Sequence, residues 1–166
     1  TAIMSLPQND KLVVTCSDET ATDSLGASIA EAITSGIVIE LNGQLGAGKT
    51  RLVRAICGAL GIDMKQVNSP TFVLLQLYTD GRIPVAHFDT YRLGDVDEFL
   101  AIGADEFTQN SDWLCLIEWA ERVAECLPDD RLRIDISATS ADARHFVFIS
   151  SGSISASSVR DQVKAS

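Results

Sequence analysis

The sequence has few of the residues that hold metals through sulfur or nitrogen. Its 166 residues include four cysteines and two histidines, and Cys16, Cys57, Cys115 and Cys126 stand far apart with no C-x-x-C pair. That spacing supports neither a structural zinc site nor a dithiol redox motif. Cys57 and Cys115 fall inside apolar patterns and read as small buried hydrophobes, in a protein of a reducing cytoplasm. Long apolar runs are also missing. The longest, such as Trp113 to Ile117, are far too short to cross a bilayer, and no basic segment leads into an apolar stretch near the N-terminus. The expectation is a protein with no membrane attachment and no export. Positive charge is scarce too: 13 Lys and Arg stand against 23 Asp and Glu, a formal net charge of −10. Proteins that grip nucleic acid neutralise its phosphates with clustered basic side chains, so direct, unaided binding to RNA or DNA is not expected.

What is present is enough apolar residue, 46% of the chain, to build one ordinary core. Residues 1–10 read as a frayed N-terminus, 11–150 as the folded domain, and 151–166 as a Ser-rich tail with a short helix. The Ser-rich stretch from Ser150 to Ser158 reads as a loop before that helix. Leu12 to Cys16 reads as a strand. Leu25, Ile29 and Ile33 recur at the spacing of one helix face, with Gly36 ending the helix. Ile37 to Leu41 is a short β-branched run, and Leu52, Val53, Ile56 and Leu60 mark a helix stopped at Gly61. Phe72 to Tyr78 and Ile83 to Phe88 flank an Asp-Gly pair suited to a hairpin turn. Asp95 to Ile102 reads as a short helix, Trp113 to Ile117 as a strand buried on both faces, and Leu132 to Ile136 with His145 to Ile149 as a final hairpin. The pattern is an α/β fold, a single P-loop NTPase-like domain whose mixed parallel and antiparallel sheet is flanked by helices.

The segment Gly43-Gln44-Leu45-Gly46-Ala47-Gly48-Lys49-Thr50 fits G-x-x-x-x-G-K-[ST], and it lies between a buried strand and a helix, where the mechanism needs it. Glycines let successive backbone N–H groups curl around phosphate oxygens, and the following helix start adds its positive dipole end. The backbone from Gly43 through Leu45, Gly46, Ala47 and Gly48 to Arg51 thus becomes a candidate cradle for the phosphates of ATP. Lys49 would reach the β- and γ-phosphates. Thr50 would offer its hydroxyl to Mg²⁺, which prefers oxygen ligands. A chance Gly-rich turn is the alternative, and the flanking strand and helix weigh against it.

Such a site also needs a carboxylate near the metal, usually at the end of a neighbouring buried strand. Leu114-Cys115-Leu116-Ile117-Glu118 ends abruptly in an acid, and Val85-Ala86-His87-Phe88-Asp89 is a looser version of the same pattern. A charge there can simply mark emergence into solvent, and Glu118 is the better metal-side candidate. Ser69-Pro70-Thr71 opens the next strand, with the proline forcing Ser69 into an extended conformation. Thr71 could sense a γ-phosphate as switch-loop hydroxyls do, or could be a surface residue of a rigid turn. Trp119 beside Glu118 and the Tyr91-Arg92 pair read equally well as packing and hydrogen-bonding groups. The chain has no N-K-x-D or D-x-x-G motif of a small GTPase and no L-S-G-G-Q-like signature of a transporter ATPase.

Four ordered motifs, L-N-G-Q-L-G-A-G-K-T (41–50), S-P-T-F (69–72), H-F-D-T-Y-R-L (87–93) and L-I-E-W (116–119), closely resemble the bacterial TsaE family. This is the ATPase component of the machinery that makes threonylcarbamoyladenosine in tRNA. The resemblance runs from about Leu25 to Pro128. It implies that Lys49 and Thr50 bind phosphate and metal, that Glu118 holds Mg²⁺ or its water, and that Asp89 belongs to the nucleotide site. It also implies a switch segment at Ser69 to Thr71, Trp119 beside the site, and Thr22 near the base of the nucleotide. Departures are mild: Gln44 stands where the family usually has aspartate, Arg51 replaces a second threonine, and Ala120 a proline. The resemblance further implies that the chain does not itself transfer the threonylcarbamoyl group but serves the transferase subunit TsaD and its partner TsaB. The competing readings are a small P-loop kinase and a nucleotide-dependent binding module without turnover. A kinase would need an Arg-bearing lid, yet Arg51, Arg54, Arg82 and Arg92 are scattered. Asp89 and Glu118 together favour turnover over simple binding.

Overall fold

The computed structural model describes residues 11–70, 72–151 and 154–165. In chain order, β1 (Lys11–Cys16) leads to α1 (Glu19–Ala32), then β2 (Val38–Asn42) and α2 (Lys49–Ala59). The hairpin strands β3 (Leu75–Tyr78) and β4 (Val85–Asp89) follow, then the short helices α3 (Val96–Ala101) and α4 (Asp105–Thr108) and strand β5 (Leu114–Glu118). Two 3₁₀ turns connect to β6 (Arg131–Ala138), β7 (Arg144–Ser151) and α5 (Ile154–Ala165). The strands form one sheet in the order β1-β7-β6-β2-β5-β4-β3. Strands β6, β2, β5 and β4 run parallel, and β1, β7 and β3 join antiparallel at either side.

Alternation along the central strands sorts the core into two layers. Val85, Leu114, Leu116, Ile39 and Leu41 point to the layer that holds Leu25 and Ile29 of α1, Leu52 and Ile56 of α2, and Val159 and Val163 of α5. Ala86, Phe88, Cys115, Ile117 and Val38 point to the other layer, with Phe99, Ala104 and Val123. There Phe88 meets Phe99 with ring centroids 5.2 Å apart. Helices α1 and α2 cross closely at Gly26, where a Cβ would run into Ala55. That contact sets the first turn of α1 beside the first turn of α2.

The mixed sheet, the buried β2 and β5 and both hairpins match the expectation from sequence, with three local differences. The first helix ends at Ala32. Gly36 instead donates its N–H to the Ser111 carbonyl, and a Cβ there would strike Trp113. It is a close-approach glycine, not a helix stop. Pairing in the first hairpin starts at Leu75, because Phe72 and Val73 lie in a turn and Leu74 takes a φ of 69°. The described part of the Ser-rich stretch is regular structure: β7 runs through Ser150 and Ser151, and α5 begins at Ile154. Val159 and Val163, spaced by one helical turn, anchor α5 in the core and outweigh the serine content. Residues 1–10 and Thr71 lie outside the described residues.

Candidate nucleotide site

Three parallel strands deliver the site at their C-terminal ends, the edge at which open α/β sheets bind ligands. β2 ends at Asn42 and runs into the Gly-rich loop, β4 ends at Asp89, and β5 ends at Glu118 in register with it. His87, Asp89 and Glu118 share the parity of the layer beneath α1 and α2, so their side chains face α2 and not the aromatic layer.

The loop adopts the curled backbone that its glycines permit. Gly46 and Gly48 have φ of 78° and 111°, a region costly for residues with a Cβ. Gly43 is required by space, since a Cβ there would meet the Ile136 carbonyl. Lys49, 5% exposed, donates from Nζ to the carbonyl oxygens of Gly43 (2.6 Å) and Gln44 (2.9 Å) and sits 4.1 Å from the centroid of the Trp119 ring. Burial pulls the Lys49 ammonium below the usual lysine range, and the nearby carboxylates of Glu118, Asp89 and Glu121 oppose that pull. Trp119 is held in place by backbone strain and bonding. It has a φ of 62°, donates its N–H to the Leu41 carbonyl, accepts the Thr90 hydroxyl at its own carbonyl at 2.6 Å, and meets the tilted Tyr91 ring with centroids 4.8 Å apart.

Thr50 and Glu118 meet directly. The Thr50 hydroxyl donates to the Glu118 carboxylate at 2.9 Å from one oxygen and 3.1 Å from the other. Asp89 accepts from the Ser69 hydroxyl at 2.8 Å and from the Tyr91 N–H at 2.9 Å. Lys49, Thr50, Arg51, Leu45, Gly46, Gly48, Ser69, Asp89, Tyr91, Glu118 and Trp119 line one cleft of ≈ 430 Å³. Ala47 is buried against the core and braces the loop from behind.

The donors fit a hard cation that keeps most of its shell from elsewhere. One hydroxyl and one carboxylate converge, and no group of three or more His, Cys, Asp or Glu side chains among the described residues could hold a metal alone. That is the donor set Mg²⁺ uses when phosphates and waters complete its coordination.

Two residues expected at the site are directed away from the Thr50–Glu118 pair. The Arg51 guanidinium turns to α1, where it pairs with Asp23 at 2.9 Å. Thr22 lines a separate recess of ≈ 80 Å³ on the far side of Gly48, together with Arg51, Arg144 and Phe146. The sequence reading passed over Arg144, whose signal was weak: a basic residue in a hairpin remote from every motif. It also passed over His87 and Tyr78. His87 had a usable signal, because it interrupts an apolar strand two residues before Asp89 and so shares its face. In the structure the His87 Nε2 lies 2.6 Å from Glu118, and the Tyr78 hydroxyl lies 3.1 Å from the His87 Nδ1.

Residues 16–146 match the family model described as threonylcarbamoyl adenosine biosynthesis protein TsaE. A Bacillus subtilis protein named tRNA threonylcarbamoyladenosine biosynthesis protein TsaE is 39% identical over 79% of this chain and 80% of its own length. One of the same name from Treponema pallidum is 38% identical over 73% of this chain and 89% of its own. A crystal structure described as Bacillus subtilis YdiB superposes with a TM-score of 0.74 at 27% identity, covering 96% of this chain and 98% of that one. Among the described residues no helix is long and apolar enough to cross a membrane.

Proposed function

This chain belongs to the TsaE family, and from that premise we propose that it is a Mg²⁺-dependent ATPase serving threonylcarbamoyladenosine formation in tRNA. It acts in the cytoplasm on the transferase subunit TsaD and its partner TsaB. The observation that carries the proposal is the convergence of Thr50 and Glu118 beneath the Gly-rich loop and beside Lys49.

Each group has a role that follows from its position. Backbone N–H groups of the loop hold the phosphates, and Lys49 exchanges its bonds to the Gly43 and Gln44 carbonyls for phosphate oxygens. Trp119 stays under the ammonium and keeps it aimed into the cleft. Thr50 and Glu118 would hold Mg²⁺, which would supply positive charge against the transferring phosphoryl group. Asp89, its carboxylate oriented by Ser69 and the Tyr91 N–H, accepts a proton from the attacking water through its Oδ atoms. Thr22 and Arg144 line the small recess beside the loop, which receives one edge of the nucleotide base. With a net charge of −10, the chain leaves the tRNA phosphates to its partners, and its own turnover depends on their presence. Ser69 bonds directly to Asp89, so the segment from Ser69 to Thr71 is the route by which a partner alters turnover.

The test is ATP turnover by the chain alone and with the TsaD–TsaB complex, beside a screen for phosphorylated small molecules. Slow hydrolysis that the complex accelerates is the expected result. A phosphorylated acceptor would replace this reading with a kinase, and nucleotide binding without turnover in either state would replace it with a binding module.

A further inference from the structure

Behind the Thr50–Glu118 pair lies a buried polar chain that no phosphate could reach. Glu118, His87 and Tyr78 are 2%, 0% and 4% exposed. Three such groups in a core are costly unless their hydrogen bonds are made, and here they are made in series. A Glu118 carboxylate can only accept, so the His87 Nε2 at 2.6 Å carries the proton. The His87 Nδ1 is then the acceptor for the Tyr78 hydroxyl at 3.1 Å. The bonds thus run in series from Thr50 of α2 through Glu118 of β5 and His87 of β4 to Tyr78 of β3. Farther along α2, Arg54 donates to the Asn68 side chain at 3.4 Å and to the Val67 carbonyl at 2.7 Å. The residue after Asn68 is Ser69, the partner of Asp89.

Resting on the Mg²⁺–nucleotide reading above, we propose that His87 and Tyr78 are positioning residues for the metal carboxylate. His87 fixes one oxygen of Glu118, and Tyr78 fixes the His87 tautomer that can do so. An imidazole N–H on a ligating carboxylate restricts its rotation and leaves the other oxygen aimed at the cleft beside Thr50. A residue that only filled the core would not need a donor at that atom.

The experiment compares wild type with His87→Leu, His87→Gln and Tyr78→Phe in the full chain. It measures Mn²⁺ affinity on the ADP complex by electron paramagnetic resonance, and ADP affinity in a chelator. For His87→Leu, Mn²⁺ affinity should fall about 10–100-fold while chelated ADP affinity stays within about twofold. His87→Gln, which keeps an N–H near the Nε2 position, should recover most of the loss, and Tyr78→Phe should show a smaller loss of the same kind. Nitrogen-15 NMR of wild type without nucleotide should show a protonated Nε2 and a bare Nδ1 on His87. Equal Mn²⁺ affinity in folded His87→Leu, a parallel fall in chelated ADP affinity, or a protonated Nδ1 with a bare Nε2 would overturn the proposal. Should His87→Leu not fold, the same outcomes are read from His87→Gln, Tyr78→Phe and the tautomer. Wild type that binds ADP equally with and without metal would bring down the Mg²⁺–nucleotide reading itself, a result separable from failure of the His87 role alone.

Discussion

The two halves of the cleft are built by different means. The loop half, from Gly43 to Thr50, is made of consecutive residues, and its key atoms are backbone N–H and carbonyl groups with one lysine folded over them. The carboxylate half is made of single side chains, Asp89 and Glu118 with His87 and Tyr78 behind them, from three strands that meet only after the sheet assembles. The first is a local structure whose geometry glycine dictates. The second is a tertiary structure whose geometry depends on register, since a slip of one residue would turn all of its acids to the opposite face.

That difference predicts distinct failures when each half is broken. Glu118→Gln keeps the shape and removes a carboxylate charge that Thr50 faces directly. Loss of one preorganised charged group costs about 10²–10³ in turnover, so turnover should collapse while nucleotide remains bound, measured by phosphate release beside an ATP titration. Lys49→Ala removes a charge-assisted contact worth about 1.5–3 kcal/mol, or about ten- to a hundredfold in ATP affinity. Its thermal stability should hold, because among the described residues its hydrogen bonds go to two loop carbonyls and its ring contact to Trp119. Unchanged ATP affinity in Lys49→Ala would sink the loop half of the comparison. Ser69→Ala takes away one neutral donor to Asp89. A loss of about 0.5–1.5 kcal/mol, or a few-fold in turnover, is expected with ATP affinity unaltered. A larger drop in affinity than in turnover would move Ser69 from orienting Asp89 to binding nucleotide.

The smallest effect concerns the scaffold under both halves. Burial raises the thiols of Cys57 and Cys115 from 9.0 to about 12. Their folded values lie above their unfolded ones, so the stability they contribute is complete below pH 9 and is lost as pH rises toward 12. Chemical unfolding from pH 8 to 11 should therefore show falling stability, less steeply in Cys57→Ala, and neither thiol should react with a thiol reagent in the native state at pH 8. Rapid labelling of native Cys57 or Cys115 would contradict the packing of β5 and α2.

The same contrast explains how much could be read in advance. The strand, loop and helix around Gly43–Thr50 were legible because their signal is contiguous, and so were β5, an unbroken apolar run, and both hairpins. Thr50 with Glu118 was legible as a pairing of residue types, though not as a contact. His87 and Tyr78 were not assigned, because a buried histidine acquires meaning only from the neighbour that register gives it. Arg51 was legible as part of the loop's sequence but not in its direction. Its long side chain is drawn to Asp23, which sits near because Gly26 lets α1 approach α2. The Ser-rich C-terminal region misled by composition: Val159 and Val163, a turn apart, seat α5 in the core.

The proposed roles of the two strand-end acids, Glu118 on the metal and Asp89 on the water, separate in the dependence of ATP turnover on Mg²⁺ concentration. Wild type, Glu118→Gln and Asp89→Asn are to be compared in one series with the TsaD–TsaB complex present. Glu118→Gln should need far more Mg²⁺ to reach its residual rate, whereas Asp89→Asn should lose rate at every Mg²⁺ concentration with an unchanged half-saturation point. A shifted Mg²⁺ requirement in Asp89→Asn with an unshifted one in Glu118→Gln would contradict the account and exchange the two roles.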